Sequence, residues 1–102
     1  MMTSIHELPV FDAAEYLDTE GSIAAYLEAV AEEDIAMLPA ALGTVARARG
    51  MSALARDTGL ARESLYRALS EDGNPTLSTL SKVLSAYGVE IALKPAREFV
   101  NA

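Results

Sequence analysis

The chain has 102 residues, half of them apolar, which predicts one small domain whose modest core a second subunit could supplement. The absence of cysteine excludes disulfides and thiolate metal sites, and the short apolar runs exclude a transmembrane segment, so we expect a cytoplasmic protein. The net charge of −7 is unfavourable for binding nucleic acid, but residues 1–34 hold nine acids and no Lys or Arg, whereas residues 35–102 hold six acids and all eight bases.

The N-terminal segment, residues 1–19, predicts an extended or edge-strand arm, because its apolar residues are irregularly spaced and Pro9 disfavours a central strand. Ser22 is then expected to cap a helix that runs to about Glu32. The apolar positions of that helix recur at i, i+3, i+4 and i+7, at Ile23, Tyr26, Leu27 and Val30.

The next helix is expected to begin near Asp34 and to end at Gly50. Proline removes a hydrogen bond inside a helix but fits the first turn, so Pro39 predicts a loose turn over residues 35–38 and a regular helix from there to Arg49.

The most informative stretch is residues 51–70, which predicts two short helices joined by a tight turn. Gly59, at the ninth of these positions, tolerates positive φ, and Ser52 is expected to cap the first helix. Ala61, at the start of the second helix, lacks a capping hydroxyl, and this absence lowers the stability of the helix start by about 1 kcal/mol. Apolar Leu60, Leu65 and Leu69 then direct a polar face outward, at Arg62, Glu63, Tyr66, Arg67 and Ser70.

The last helix is expected to be capped by Thr76 and ended by Gly88. Residues 89–94 alternate apolar and polar side chains, which predicts a half-buried strand. A lone strand is unstable, so this one must pair with the N-terminal arm, with its own copy, or with another protein. Pairing with its own copy would make a dimer through Val89, Ile91 and Leu93.

The order of helix, turn, helix, loop and helix resembles the Cro/CI-like repressor family. The resemblance extends over most of the chain to the HigA-like probable addiction module antidote proteins, through the stretches FDAAEYLDTEGSIAAYLEAV, ALGTVARARGMSALARDTGLARESLYRALSEDGNPTL and STLSKVLSAYGVEI. Ala53, Ala61 and Pro39 depart from the family pattern. The resemblance implies a type II antitoxin that silences a cognate RelE/ParE-like (HigB-type) toxin, a small basic ribonuclease, and represses its own operon.

We therefore predict an all-α fold, a small lambda-repressor-like bundle of about five helices with a helix-turn-helix and short terminal strands. Residues 1–33 would form an acidic arm and helix, residues 34–88 the helix-turn-helix domain, and residues 89–102 a strand and tail.

The first functional hypothesis is repression through DNA binding by a homodimer, whose two recognition helices would lie about 34 Å apart on a palindromic operator. Base edges would be contacted by the outer face of the second helix, and Glu63 would either accept from cytosine or pair with Arg67. The residues proposed to bind phosphate are Ser52, Arg56 and Ser64. Those proposed to contact base edges are Arg62, Glu63, Tyr66 and Arg67, and Ser70 is proposed to contact DNA from the same outer face.

The second hypothesis is neutralisation of a toxin by direct contact, with the acidic leader covering a basic surface and apolar side chains as anchors, at Phe11, Tyr16, Leu17 and Tyr26. The alternative is a Cro/CI-type regulator without a toxin partner. An enzyme is disfavoured, because one histidine, no cysteine and no Gly-rich phosphate loop leave only scattered carboxylates and serines. We expect no cofactor and no metal.

Overall fold

The computed structural model describes residues 19–96, and this part of the chain is helical. In order it contains α1 (Glu20–Glu33), a 3₁₀ turn (Ile35–Met37), α2 (Leu38–Arg49), α3 (Met51–Thr58), α4 (Arg62–Ala68) and α5 (Leu77–Ala86). The arm expected over residues 1–19 lies outside the described residues except for its last residue. None of the helices in the range 19–96 is long and apolar enough to span a bilayer.

Helix α1 begins with a reciprocal cap. The Thr19 hydroxyl accepts from the Ser22 N–H at 3.1 Å, and the Ser22 hydroxyl lies 3.3 Å from the Thr19 N–H. The prediction that Ser22 is the N-cap was therefore wrong, since Ser22 occupies the third position inside the helix. Ser22 takes the role that Glu or Gln usually has in a capping box, and this is why its position was misread.

The junction between α1 and α2 agrees with the reading of Pro39. Asp34 accepts a hydrogen bond from the Ala36 N–H at 3.0 Å and starts the 3₁₀ turn. Helix α2 begins at Leu38, so Pro39 lies in its first turn, where a missing N–H has no intrahelical partner to lose. Gly50 ends α2 with φ 109° and leads directly into α3.

A single core joins all five helices. Its most deeply buried side chains come from α1, α2, α4 and α5 and from the residue after α4: Ile23, Leu27, Leu42, Val45, Leu65, Val83 and Leu69. Because Ile23 and Leu27 belong to this core, α1 is packed into the same unit as the helices that follow it.

Helix α5 is capped as expected, because the Thr76 hydroxyl accepts from the Thr79 N–H at 3.1 Å. The helix ends at Ala86, and Gly88 turns the chain with φ 77°. The strand predicted over residues 89–94 is not seen, since residues 89–96 have no regular secondary structure. A β-ladder needs a neighbouring strand, and the described part of the chain offers none.

Candidate nucleic-acid interface

The connection between α3 and α4 is a tight turn at Gly59, which has φ 75° in the left-handed region. Its N–H donates to the Ala55 carbonyl at 2.9 Å. Thr58 supports the same turn, because its hydroxyl donates to the Leu54 carbonyl at 2.8 Å and accepts from the Leu60 N–H at 3.2 Å. The sequence reading had found Gly59 but missed Thr58, although a threonine just before such a glycine is a recognisable turn signal.

Helix α4 has one buried face and one exposed face. Leu65 on the helix and Leu69 just after it are each 1% exposed, and they fix the helix against the core. The opposite side is exposed and consists of Arg62, Glu63, Ser64, Tyr66 and Arg67. We call these five residues the α4 face. Ser70, also predicted for this side, is only half-exposed, and its hydroxyl donates to the Arg67 carbonyl at 3.0 Å.

Two residues of the α4 face are already in contact. The Arg62 guanidinium donates to the Tyr66 hydroxyl at 3.4 Å, and its Cζ lies 5.5 Å from the centre of the Tyr66 ring. Within residues 19–96 no ion pair joins Glu63 to Arg67, which was one of the two predicted roles for Glu63. The pairs Arg62–Tyr66 and Glu63–Arg67 have the same i, i+4 spacing, but only the first pair is in contact, because the Tyr66 ring offers the Arg62 guanidinium an aromatic partner.

The start of α3 differs from its prediction. The N-cap is Gly50 rather than Ser52, and no side chain caps this end of the helix. Ser52 is the second helical residue and is exposed, and Arg56 is exposed in the last turn. Gly50 can serve as the cap because its positive φ turns the chain from α2 into α3 without a loop.

Helix α4 also begins without a side-chain cap. Ala61 is its N-cap, with an extended backbone at φ −68° and ψ 139°, and only the Leu65 N–H to Ala61 carbonyl bond of 3.0 Å closes the first turn. The amides at the starts of α3 and α4 therefore keep hydrogen-bonding capacity that no capping side chain uses.

Two glycines hold the end of α4, and the sequence reading gave neither of them this role. A Cβ added at Gly43 of α2 would overlap the Leu69 carbonyl oxygen, and a Cβ added at Gly73 would overlap the Ala68 carbonyl oxygen. The backbones of α2 and of the loop thus approach the end of α4 closely. A glycine in a helix interior is unfavourable by about 1 kcal/mol, and this was the available signal for Gly43.

Of the four predicted toxin anchors, the structure describes one, Tyr26. Phe11, Tyr16 and Leu17 lie outside the described residues. Tyr26 is half-buried and packs against the core. Three acids on α1, Glu28, Glu32 and Glu33, are exposed and form an acidic surface on that helix.

Tyr87 at the end of α5 lines a cavity together with Ile23, Arg49 and Ala53. Its hydroxyl is buried and has no hydrogen-bond partner in the described structure. Burial raises the pKa of Tyr87 to about 12, with nearby Arg49 acting in the opposite direction. This tyrosine therefore belongs to the interior of the fold and not to the α4 face.

A comparison with known families supplies the broad assignment. Residues 7–95 match the model of a family described as probable addiction module antidote protein. The chain belongs to this family. An antidote acts on a toxin, so membership supports an antitoxin role and implies a toxin partner in general.

Other comparisons add little about the mechanism of this antidote-family protein. An uncharacterised protein of Haemophilus influenzae is 46% identical to it over 92 residues, which are 89% of this chain and 95% of that protein. No solved structure matches the chain.

Proposed function

We propose that this antidote-family protein is a DNA-binding, HigA-like antitoxin in which α3 and α4 form a Cro/CI-type helix-turn-helix. The observation that carries the proposal is the α4 face, where Arg62, Tyr66 and Arg67 are exposed on the side opposite buried Leu65 and Leu69. An exposed helix with arginines on its outer side, held by a second helix behind it, fits the major groove of DNA.

The residues of the α4 face suit the reading of bases. Arg62 and Arg67 can each donate two hydrogen bonds to the edge of guanine, the commonest specific contact in the major groove. Glu63 can accept a hydrogen bond from the amino group of cytosine. Because Glu63 forms no ion pair with Arg67, its carboxylate is available for this contact.

The uncapped helix starts suit phosphate. Amides at the beginning of α3 have no side-chain partner, and exposed Ser52 lies among them. Such amides and hydroxyls bind phosphate oxygens and fix a protein's position on the duplex. We assign Arg56 and Ser64 to the same backbone contacts.

The charge distribution limits the affinity that phosphate contacts alone can give. Residues 47–70 contain five arginines against Asp57 and Glu63, whereas the whole chain is at −7. Sequence-independent binding should therefore be weak and sensitive to salt. We propose that a homodimer on a palindromic operator doubles the specific contacts and in this way represses the protein's own operon.

The test is operator binding by Arg62→Ala and Arg67→Ala variants, measured on DNA from upstream of the protein's own coding sequence. Each substitution should weaken specific binding about 5- to 150-fold, because a good base contact contributes about 1–3 kcal/mol. Lys82→Ala is the matched control, since it removes one positive charge from an exposed position on α5. Unchanged operator affinity in the double arginine variant would contradict the proposal.

We further propose that the toxin is a RelE/ParE-like (HigB-type) protein with a basic surface, and that the acidic part of the chain covers it. Exposed Glu28, Glu32 and Glu33 support this assignment, because complementary charge accelerates encounter. Replacing all three with Gln should slow association with the toxin, and more so at low salt.

The deletion that tests the leader should end at residue 18, because Thr19 caps α1. Loss of toxin binding in this variant, with operator binding retained, is the expected result. If no small basic protein copurifies with the full chain and none is encoded beside it, the regulator without a toxin becomes the better proposal.

A further inference from the structure

The 3₁₀ turn between α1 and α2 carries apolar side chains that the core does not use. Ile35 is 63% exposed and Met37 is 51% exposed. No residue of this turn is buried, and the first buried side chain after it is that of Leu38. Tight turns are ordinarily built from small or polar residues, so two large apolar side chains on an exposed turn indicate a surface that a partner covers.

The turn holds these two side chains in a fixed position. The Asp34 carboxylate accepts from the Ala36 N–H at 3.0 Å, and the Met37 N–H donates to the Asp34 carbonyl at 2.9 Å. Directly after the turn, the buried side chain of Leu38 fixes the start of α2 to the core. Ile35 and Met37 therefore project from a backbone that is already ordered, and binding through them requires little further ordering of the chain.

The surroundings of the turn are negatively charged. Residues 20–46 contain five acids and no Lys, Arg or His. Glu32, Glu33 and Asp34 come directly before the apolar pair, and all six residues from 32 to 37 are exposed. We call residues 32–37 the corner surface. It combines two exposed apolar side chains with three neighbouring carboxyl groups.

This charge decides which partners the corner surface fits. A second copy docked face to face would bring the same three carboxyl groups, and DNA or an anionic membrane would bring phosphates, so all of these are repelled. The chain's own N-terminal segment is also poorly suited, because residues 1–18 contain four acids and no Lys or Arg. A protein surface with an apolar recess bordered by Lys and Arg is complementary both in charge and in polarity.

We propose that the corner surface is the docking surface for the basic toxin, an inference that rests on the toxin assignment of the proposed function. Ile35 and Met37 are the anchors that enter an apolar recess, and the carboxylates around them face basic side chains. Methionine adapts to the shape of a partner, and a few central side chains supply most of the binding free energy of an interface. Tyr26, the anchor predicted from the sequence, is half-buried against the core and offers less free surface.

The corner surface is separate from the α4 face. The 3₁₀ turn packs against α1 and α2, whereas α4 packs chiefly against α3. One chain can therefore hold toxin and operator through different parts of its surface. Substitutions in the corner surface accordingly test toxin docking without altering the proposed DNA contacts.

The first test removes the anchors from the full chain. The probe is the small basic protein that is encoded beside this chain and copurifies with it. Ile35→Ala and Met37→Ala should each raise its dissociation constant about 5- to 30-fold, chiefly through faster dissociation. Leu77→Ala is the matched control, because Leu77 is a 70% exposed apolar residue on α5, and it should leave the dissociation constant unchanged.

The same variants should be intact in other respects. All three substituted side chains are exposed, so the thermal unfolding temperature should stay close to that of the natural chain. Binding of operator DNA by the Ile35 and Met37 variants should also be unchanged. These two measurements separate a lost anchor from a damaged fold.

The second test separates the anchors from the carboxylates. Replacing Glu32 and Glu33 with Gln should slow association, most strongly at low salt, whereas Ile35→Ala should leave association nearly unchanged. Asp34 has a further role, because its carboxylate orders the turn. Asp34→Asn keeps an acceptor for the Ala36 N–H and should therefore weaken toxin binding less than Asp34→Ala does.

A cross-link tests the position of the toxin directly. The natural chain has no cysteine, so Ala36→Cys places a single thiol between the two anchors. A photoreactive group attached to it should cross-link to the toxin. Ser81→Cys, at an exposed position on α5, is the matched control and should not. A cross-link from residue 36 to a second copy, or to the chain's own N-terminal segment, would assign the surface to that occupant and overturn the inference.

Failure of this inference is distinguishable from failure of the proposed function. If the natural chain binds no small basic protein, the toxin assignment fails and the inference fails with it. If the natural chain binds that protein and the double variant Ile35→Ala with Met37→Ala binds it equally well, the inference alone is overturned. Loss of operator binding in the double variant would contradict the separation of the corner surface from the α4 face.

Discussion

Helices α4 and α5 begin in opposite ways. The Thr76 side chain caps α5 through a hydrogen bond to the Thr79 N–H, whereas Ala61 gives α4 no side-chain cap. Yet α4 is held firmly, because Leu65 and Leu69 are buried. The start of α5 is thus stabilised by its own sequence, and α4 is stabilised by the surfaces against which it packs.

The difference shows that packing can hold a helix whose first amides have no side-chain cap. A capping side chain would occupy one of the first amides of α4. Packing on the opposite face and close backbone contact at the far end, through Gly43 and Gly73, hold the helix without using those amides. Substitutions that attack the packing or the caps therefore test this comparison directly.

The largest expected effect is on the packing of α4. Leu65→Ala should lower the free energy of unfolding by about 2–5 kcal/mol, because it leaves a cavity in the core. Leu77→Ala is the matched control, since Leu77 begins α5 and is 70% exposed. Its effect should stay within about 0.5 kcal/mol. Urea unfolding at one protein concentration measures both, and equal losses would mean that α4 is not held by its buried face.

The second effect concerns the close approach of α2 to α4. Gly43→Ala should cost about 1–3 kcal/mol, because the new methyl group would overlap the Leu69 carbonyl oxygen and force a backbone shift. Gly21→Ala in α1 meets no atom within 4 Å and should raise stability by up to about 1 kcal/mol. If both variants were more stable than the natural chain, α2 would not approach the end of α4 as closely as described.

The third prediction compares the two helix starts. Thr76→Ala should reduce stability by about 1 kcal/mol, because the Thr79 N–H loses its partner. Ala61→Ser should increase stability by about 0.5–1 kcal/mol, because the extended backbone at Ala61 already suits an N-cap. Thermal unfolding of both variants measures the contrast, and a neutral Ala61→Ser would show that the amides of α4 are already satisfied.

The smallest effect is expected at Tyr87. Tyr87→Phe removes a buried hydroxyl without a partner, so stability at neutral pH should stay the same or rise by up to about 1 kcal/mol. The folded-state pKa of Tyr87 is about 12, against an ordinary value of 10.0, so the unfolded chain ionises first and natural stability falls as the pH rises above 10.

In the Tyr87→Phe variant this contribution to alkaline destabilisation should disappear. Unfolding curves at several pH values between neutral and strongly alkaline measure it. A variant that loses stability with rising pH just as the natural chain does would show that Tyr87 ionises equally well in the folded protein.

Much of the fold follows from local signals in the sequence. Gly59 predicts the turn, Pro39 predicts the start of α2, and Thr76 predicts the start of α5, because each depends on a backbone preference of one residue. Features that depend on two distant segments were missed. The approach of Gly43 to Leu69 is set by how α2 crosses the end of α4, and no local pattern contains that information.

The errors in the caps have a simpler cause. Ser22 and Ser52 are good N-cap residues, but the Thr19 hydroxyl already caps α1 three residues before Ser22, and Gly50, which ends α2, begins α3 two residues before Ser52. The strand over residues 89–94 was predicted from alternation alone, which describes the side chains but does not supply a neighbour.

The stacking of Arg62 on Tyr66 has a consequence for how the α4 face would meet a ligand. A long flexible side chain ordinarily loses rotational freedom on docking, and part of that loss has already occurred when the guanidinium rests on a ring. Removing the ring would release the arginine, so a Tyr66→Ala variant would weaken the contact of Arg62 as well as remove the one proposed for Tyr66 itself. Specificity at the base that Arg62 reads would then depend on the ring that holds the arginine still.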